Sequence, residues 1–321
     1  MHIVRRHAWH MPERAATPEH VFLDRRAFLA ATTASALALS PKMSLAQRMA
    51  DLPDPTADLY PAAHNAKYVL DRSITDEAIN TTYNNFYEFG SSKTIAKAAQ
   101  ALKLRPWTIK IDGMVERAQE IGIDDLIRKV GVEERLYRHR CVEAWSMAVP
   151  WSGFPLAKLV ALADPLSSAK YLRMETFLDS SVASGQRQTW YPWPYVEGLT
   201  MAEAVNELAF LVTGAYGKPV AKSMGAPLRL AVPWKYGFKS LKSITRFTFI
   251  DQRPKSFWQA LAPSEYGFWA NVNPDVPHPR WSQASEELIG TGERRPTLPF
   301  NGYGEFVADL YKGLENERLW T

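Results

Sequence analysis

The chain of 321 residues has one cysteine, Cys141. A lone cysteine excludes an internal disulfide, a CxxC zinc site and a cysteine-ligated iron–sulfur cluster. Histidine is scarce as well. Outside residues 1–46 only His64, His139 and His278 remain, and no HxxxH or HxxEH spacing occurs. Net charge is small: 38 Lys and Arg face 34 Asp and Glu, and residues 1–46 carry six of the former and three of the latter. The remainder is close to neutral and lacks a basic block, so no nucleic-acid partner is expected. No apolar run outside the leader is long enough to span a bilayer, so the mature protein is read as soluble. There is no internal repeat and no long linker. At 46% hydrophobic and 22% charged residues, the composition excludes disorder and collagen-like repeats. The length permits a sizeable core without covalent staples.

What is abundant is aromatic: eleven tryptophans stand beside 22 prolines. The N-terminus has the order of an export signal. Arg25-Arg26 directly precede an uncharged, mildly apolar run from Ala27 to Leu39, and Ser44-Leu45-Ala46 offers a small-x-small cleavage site. The run of about 13 residues is too short to cross a bilayer. The pattern resembles a twin-arginine signal, an address read by a receptor and not an anchor. The expected organisation is a signal peptide over 1–46 and one catalytic domain over 47–321. The expected location is the bacterial periplasm. Because that route carries folded proteins, a cofactor inserted before export is expected.

Residues 47–70 read as an extended, proline-rich arm. Thr75-Asp76-Glu77 reads as a helix start with Thr75 as N-cap. Thr82 to Gly90 has little periodicity and reads as a loop. Trp107 to Ile111 alternates and ends at Asp112-Gly113, a hairpin signal. Ile123 to Val130 reads as a helix, and Glu134 to Val142 as a strand delivering Cys141 near its end. Pro155 to Ala163 reads as a helix with proline in its first turn. Lys170 to Asp179 reads as a strand, and Thr200 to Glu203 as a capping box. Leu208 to Thr213, Leu228 to Val232 and Ser243 to Ile250 read as strands. After Asp251 the aromatic, proline-rich chain reads as wrapping. Strands and short helices mix without βαβ regularity, which implies a single α+β domain.

Chemistry concentrates around Cys141. Arg138, His139 and Arg140 would lower its thiol pKa if they faced it. Glu143 falls on the same strand face if the strand continues. Thiolate is a soft ligand, and one thiolate suffices for a metal whose cofactor brings its own sulfurs, as the dithiolene of molybdopterin does.

Three runs carry a resemblance: Arg138 to Leu156 (RHRCVEAWSMAVPWSGFPL), Thr81 to Phe89 (TTYNNFYEF) and Gly225 to Lys242 (GAPLRLAVPWKYGFKSLK). They resemble the catalytic subunits of periplasmic methionine-sulfoxide reductases, within the sulfite-oxidase fold family of molybdenum enzymes. The resemblance covers essentially the whole chain. It implies a sulfite-oxidase-type molybdopterin-binding domain with one molybdenum–molybdopterin per chain and Cys141 as metal ligand. It implies cofactor contacts at Asn84, Tyr87, Glu88, Thr176, Arg229, Ser240, Leu241 and Lys242, and places Asn85 close to the metal. Arginine, lysine and backbone N–H groups suit a phosphate dianion. Where the family commonly has asparagine before Gly-Ala-Pro, this chain has Met224.

The implied activity is reduction of free and protein-bound methionine sulfoxide by oxygen-atom transfer, repairing oxidised periplasmic proteins. Glu143 is the candidate proton donor, and Trp151, Trp190, Trp193 and Trp234 are candidates for a mouth that takes a methionine side chain. Electrons would come from a membrane haem-binding partner fed by quinol. Two alternatives stay open: a sulfite dehydrogenase-like molybdoenzyme, and a non-catalytic exported binding protein.

Overall fold

The computed structural model describes residues 54–321; the leader and its cleavage site lie outside the described residues. Three helices matter below: α1 (Glu77–Thr82), α2 (Ile123–Val130) and α3 (Leu156–Ala163). The strands, in chain order, are β1 (Thr108–Gly113), β2 (Gln119–Gly122), β3 (Glu133–Arg140), β4 (Trp145–Pro155), β5 (Tyr171–Thr176) and β6 (Val196–Thr200). They continue with β7 (Phe210–Ala215), β8 (Lys218–Pro219), β9 (Arg229–Ala231), β10 (Ile244–Ile250), β11 (Ser285–Leu288) and β12 (Arg294–Pro296).

α2 shows how local sequence sets an element. Ile123, Leu126 and Ile127 recur at helical spacing and are buried, while Asp124 and Asp125 open the helix and Arg128 and Lys129 close it. Those charges complement the helix dipole. α1 begins differently from the sequence expectation. Its cap is Asp76, whose carboxylate accepts from the Ala78 N–H at 2.7 Å. Thr75 instead accepts from the Ala148 N–H at 3.0 Å and ties the helix to β4. The capping box at Thr200 and Glu203 is present.

Two sheets organise the chain. One runs β2-β1-β10-β5-β6, with β1 and β10 parallel. The other runs β12-β11-β4-β7-β8, with β3 added to β4 and β9 to β7. The alternating strands behave as their pattern requires. In β5, Leu172, Met174 and Thr176 are buried while the residues between them are half-buried. Residues of both sheets share one continuous core, including Ile109, Leu172 and Phe247 from the first and Tyr137, Phe154 and Leu211 from the second. The fold is thus the expected mixture of strands with few short helices.

β4 is the longest strand and was not anticipated. Ten of its eleven residues are buried, so it lacks the polar alternation of a half-exposed strand. β3 and β4 form a hairpin in register from Glu133 opposite Gly153 to Arg140 opposite Ser146. The hairpin apex, residues 141–144, carries Cys141.

Candidate active site

At that apex the Cys141 N–H donates to the Trp145 carbonyl at 2.9 Å, and Ala144 takes a positive φ of 63° to close the turn. The turn is braced from behind. Trp281 Nε1 and Gln283 Nε2 each donate to the Val142 carbonyl at 2.7 Å. Fully buried Arg140 donates to the Cys141 carbonyl, to Gln283 Oε1 at 2.9 Å and to Thr297 Oγ1 at 3.1 Å. Its Nε stands 3.1 Å from Glu286 Oε2.

The second wall is the loop after α1. The Asn84 amide donates to the Asn80 carbonyl at 2.8 Å and so caps the end of α1. The Asn84 N–H meets the Lys93 carbonyl at 3.0 Å. Gly185 then approaches the loop backbone so closely that a Cβ there would stand 2.0 Å from the Tyr87 carbonyl oxygen. Only glycine permits that approach. The third wall comes from β9 and the turn that follows it, which bring Arg229, Ser240, Leu241 and Lys242.

These walls enclose a cavity of about 890 Å³, counting the solvent-filled mouth. It brings together Asn84, Asn85, Tyr87, Glu88, Cys141 and Glu143 with Arg229, Ser240, Leu241 and Lys242. Of the site residues expected from sequence, Thr176 alone is not on the wall. It ends β5 and backs the buried Glu88 carboxyl.

Cys141 and its neighbours form the metal end. Asn85 Nδ2 lies 3.7 Å from the sulfur and 3.2 Å from Glu143 Oε2. Glu143 Oε2 also accepts from Trp145 Nε1 at 3.0 Å and pairs with Lys93 Nζ at 2.6 Å. Two sequence expectations need correction here. The strand does not continue to Glu143, because the chain turns at the apex; the carboxylate still comes 3.7 Å from the sulfur through that turn. Nor do the flanking basic residues bring the thiol pKa below its ordinary value: the Arg140 charge works to lower it but is outweighed. Burial pushes it up to about 12, helped by the Glu143 charge. Arg138 points away to Asp71, 3.1 Å distant, and Arg140 reaches back into the protein. Only a bound metal cation would hold this cysteine as thiolate. Glu143 is also not placed to give up a proton. Burial works to raise its pKa, but hydrogen bonds from Lys93, Trp145 and Asn85 outweigh burial and hold it below the usual carboxylate value.

The opposite end is cationic. Arg229 is buried over the Trp151 ring at 4.8 Å. Its guanidinium donates to main-chain carbonyls, chiefly Met224 at 2.7 Å and Ser240 at 3.3 Å. Burial alone lowers its pKa to about 9. Burial, and next the Arg229 charge, lowers Lys242 to about 7. Two cations without a hydrogen-bonded carboxylate at the end of one cavity are costly unless an anion comes to meet them.

The mouth is aromatic, though not through the expected tryptophans. Trp234 is fully buried and donates to the Tyr311 hydroxyl at 2.7 Å. Trp151 lies deep in the cavity, and neither Trp190 nor Trp193 lines it. The partly exposed aromatic side chains on the lining are instead Tyr87, Phe238 and Trp258, with buried Tyr266 packed against the last two. Ring centroids are 4.9 Å apart for Tyr87 and Trp258, and 5.3 Å for Trp258 with Tyr266 and Phe238 with Tyr266. The C-terminal aromatic enrichment was the only sequence signal for Trp258 and Tyr266.

The chain belongs to a family of redox enzymes. The model described as the oxidoreductase molybdopterin binding domain matches residues 96–258, just over half of the sequence. The matched span holds Cys141, Arg229 and Lys242 but not the Asn84–Glu88 loop. Among solved structures, the sulfane dehydrogenase SoxCD from Paracoccus pantotrophus is similar at 17% identity and a TM-score of 0.45. The match covers 73% of this chain and 61% of that one, under two thirds of its length. On the family model alone, the chain belongs to the oxidoreductase molybdopterin-binding family. The cavity fits that cofactor: one thiol for the metal, and two cations without a hydrogen-bonded carboxylate, Arg229 and Lys242, for a phosphate. Among the described residues no cluster of three or more His, Cys, Asp or Glu side chains could hold a metal ion. No helix among the described residues is long and apolar enough to cross a membrane.

Proposed function

We propose that this enzyme reduces methionine sulfoxide, free and within proteins, to methionine, and that it is exported to the periplasm to repair oxidised proteins there. The observation that carries this reading is the contrast between the two ends of the cavity. The Cys141 end has a neutral amide and an ion pair closed on itself, Lys93 with Glu143. The free cations lie with the phosphate-binding segment. A sulfite dianion would call for several unpaired cations beside the metal. A neutral sulfoxide calls for a hydrogen-bond donor and an aromatic surface for its thioether carbons, and Asn85 and the Tyr87–Trp258–Tyr266 rim supply these.

In this reading Cys141 ligates the metal, and Asn84, Tyr87, Glu88, Arg229 and the Ser240–Lys242 segment hold the pterin and its phosphate. Thr176 holds Glu88 in place. When bound, the molybdenum centre supplies two-electron oxygen-atom exchange with the substrate sulfur. Overall, sulfoxide, two protons and two electrons give thioether and water. Asn85 Nδ2 orients the substrate oxygen beside the sulfur of Cys141. Glu143, held ionised, fixes Asn85 and pairs with Lys93. The aromatic rim excludes water from the reacting sulfur and leaves room for a polypeptide to approach. The electrons come from outside the chain, in our proposal from a membrane haem-binding subunit fed by quinol.

The test is oxidation of a reduced dye by the metal-loaded protein with methionine sulfoxide, dimethyl sulfoxide and sulfite compared side by side. Turnover should be fastest with methionine sulfoxide. Turnover of sulfite with an electron acceptor, and none of either sulfoxide, would replace this reading with the dehydrogenase.

A further inference from the structure

His139 has no role in anything described above, yet it lines the cavity. It stands in β3 two residues before Cys141, and its ring meets Gly237, whose carbonyl accepts from the Ser240 N–H at 3.1 Å. The imidazole therefore lies between the Cys141 turn and the segment that carries Ser240 and Lys242. An imidazole offers two ring nitrogens to hydrogen-bonding partners. Among the described residues neither ring nitrogen makes a hydrogen bond, while the flanking Arg138 and Arg140 guanidinium groups turn to other partners, Asn301 and Asp71 for the first and Gln283 and Thr297 for the second.

The ring is also held in a prepared slot. A Cβ at Gly237 would stand 2.6 Å from His139 Nε2 and 2.8 Å from Cε1, so the glycine makes the space the ring occupies. Trp145 lies on its other side, at 6.0 Å between centroids. On the same cavity wall the buried Met224 side chain offers no strong hydrogen-bonding group.

We propose that His139 is a cofactor-binding residue, whose imidazole hydrogen-bonds the organic part of molybdopterin between its metal end and its phosphate end. The thiol fixes one end and Arg229 with Lys242 the other. His139 is the polar side chain of β3 that faces the stretch between them. The inference rests on the cofactor, not on the choice of substrate.

The test compares His139→Leu, His139→Gln and His139→Ala in the cofactor-loaded protein. Molybdenum and released pterin per chain are followed over time after gel filtration, and circular dichroism of the cofactor-free proteins checks the fold. Loss of one hydrogen bond should speed cofactor release about fivefold to tenfold in the leucine variant. Glutamine, which keeps a donor and an acceptor, should hold release within about twofold of wild type. A leucine variant that retains cofactor as well as wild type would overturn the proposal, as would a glutamine variant that loses it as fast as leucine. Should the alanine variant fail to fold, the leucine and glutamine pair still decides. Because retention is read directly, the result stands whichever sulfur compound is the substrate.

Discussion

Arg140→Met tests whether the Cys141 turn is held from behind by a buried charge. Arg140 and Glu286 are 0% and 2% exposed at their side chains, so solvent screens their attraction little. Removing the guanidinium leaves Glu286 with Arg72 and Ser146 as its remaining partners and strips a donor from the Cys141 carbonyl. Breaking a buried pair from one side costs about 3–5 kcal/mol. For a domain of this size that corresponds to a fall of about 6–10 °C in thermal midpoint. The assay is a thermal melt of cofactor-free protein, with molybdenum content measured on the loaded form. Both should fall, because the turn that aims the sulfur loosens as the pair breaks. Arg140→Met with Glu286→Leu should recover part of the melting loss, since the buried carboxylate left with one arginine where it had two is gone. A single variant that melts within about 2 °C of wild type and holds full molybdenum would refute the reasoning.

Cys141→Ser should abolish molybdenum retention and sulfoxide reduction with an unchanged circular dichroism spectrum; a variant that retained activity would contradict ligation by this sulfur. Glu143→Gln should slow turnover more than it lowers molybdenum content, because Lys93 and Asn85 lose their shared anchor; unchanged kinetics would reject that part of the site. The cofactor-free chain should also show a distinctive pH dependence. Burial raises Glu88 from 4.5 to about 7 and lowers Lys242 from 10.5 to about 7. Between pH 4.5 and 7 the folded chain keeps a proton on Glu88 that the unfolded chain has lost, so stability falls as pH rises. From pH 7 to 10.5 the unfolded lysine keeps a proton that the folded one lacks, so stability climbs again. Lys242→Met should remove the climb, as read from thermal midpoints across that range. An unaltered alkaline limb would show that Lys242 is not the group responsible.

Much of this molecule was readable from residue order, for stated reasons. α2 and β10 are surface elements whose faces differ, and their periodicity announces them. β4 is buried on both faces and contains Pro150 and Pro155, so nothing in its pattern marks it as the longest strand. The apex after Arg140 was invisible for a related reason. It is closed by Ala144 at positive φ, where the usual glycine or asparagine signal is missing. The expected site residues nearly all converge on one cavity, because the runs that carried the resemblance are the cavity walls. The errors concern environment. His139 was read as a charge acting on the thiol, but two cations and burial keep it neutral. Tryptophans were chosen for the rim by type, whereas position decides which aromatic side chains reach the cavity: Trp190 is exposed but away from it.

The cavity takes its walls from around residues 85, 140 and 230–242, and its rim from residues 258 and 266. A chain still emerging from the ribosome owns at most part of the clasp until its last fifth is made. The complete pocket is therefore closed only by a nearly finished polypeptide.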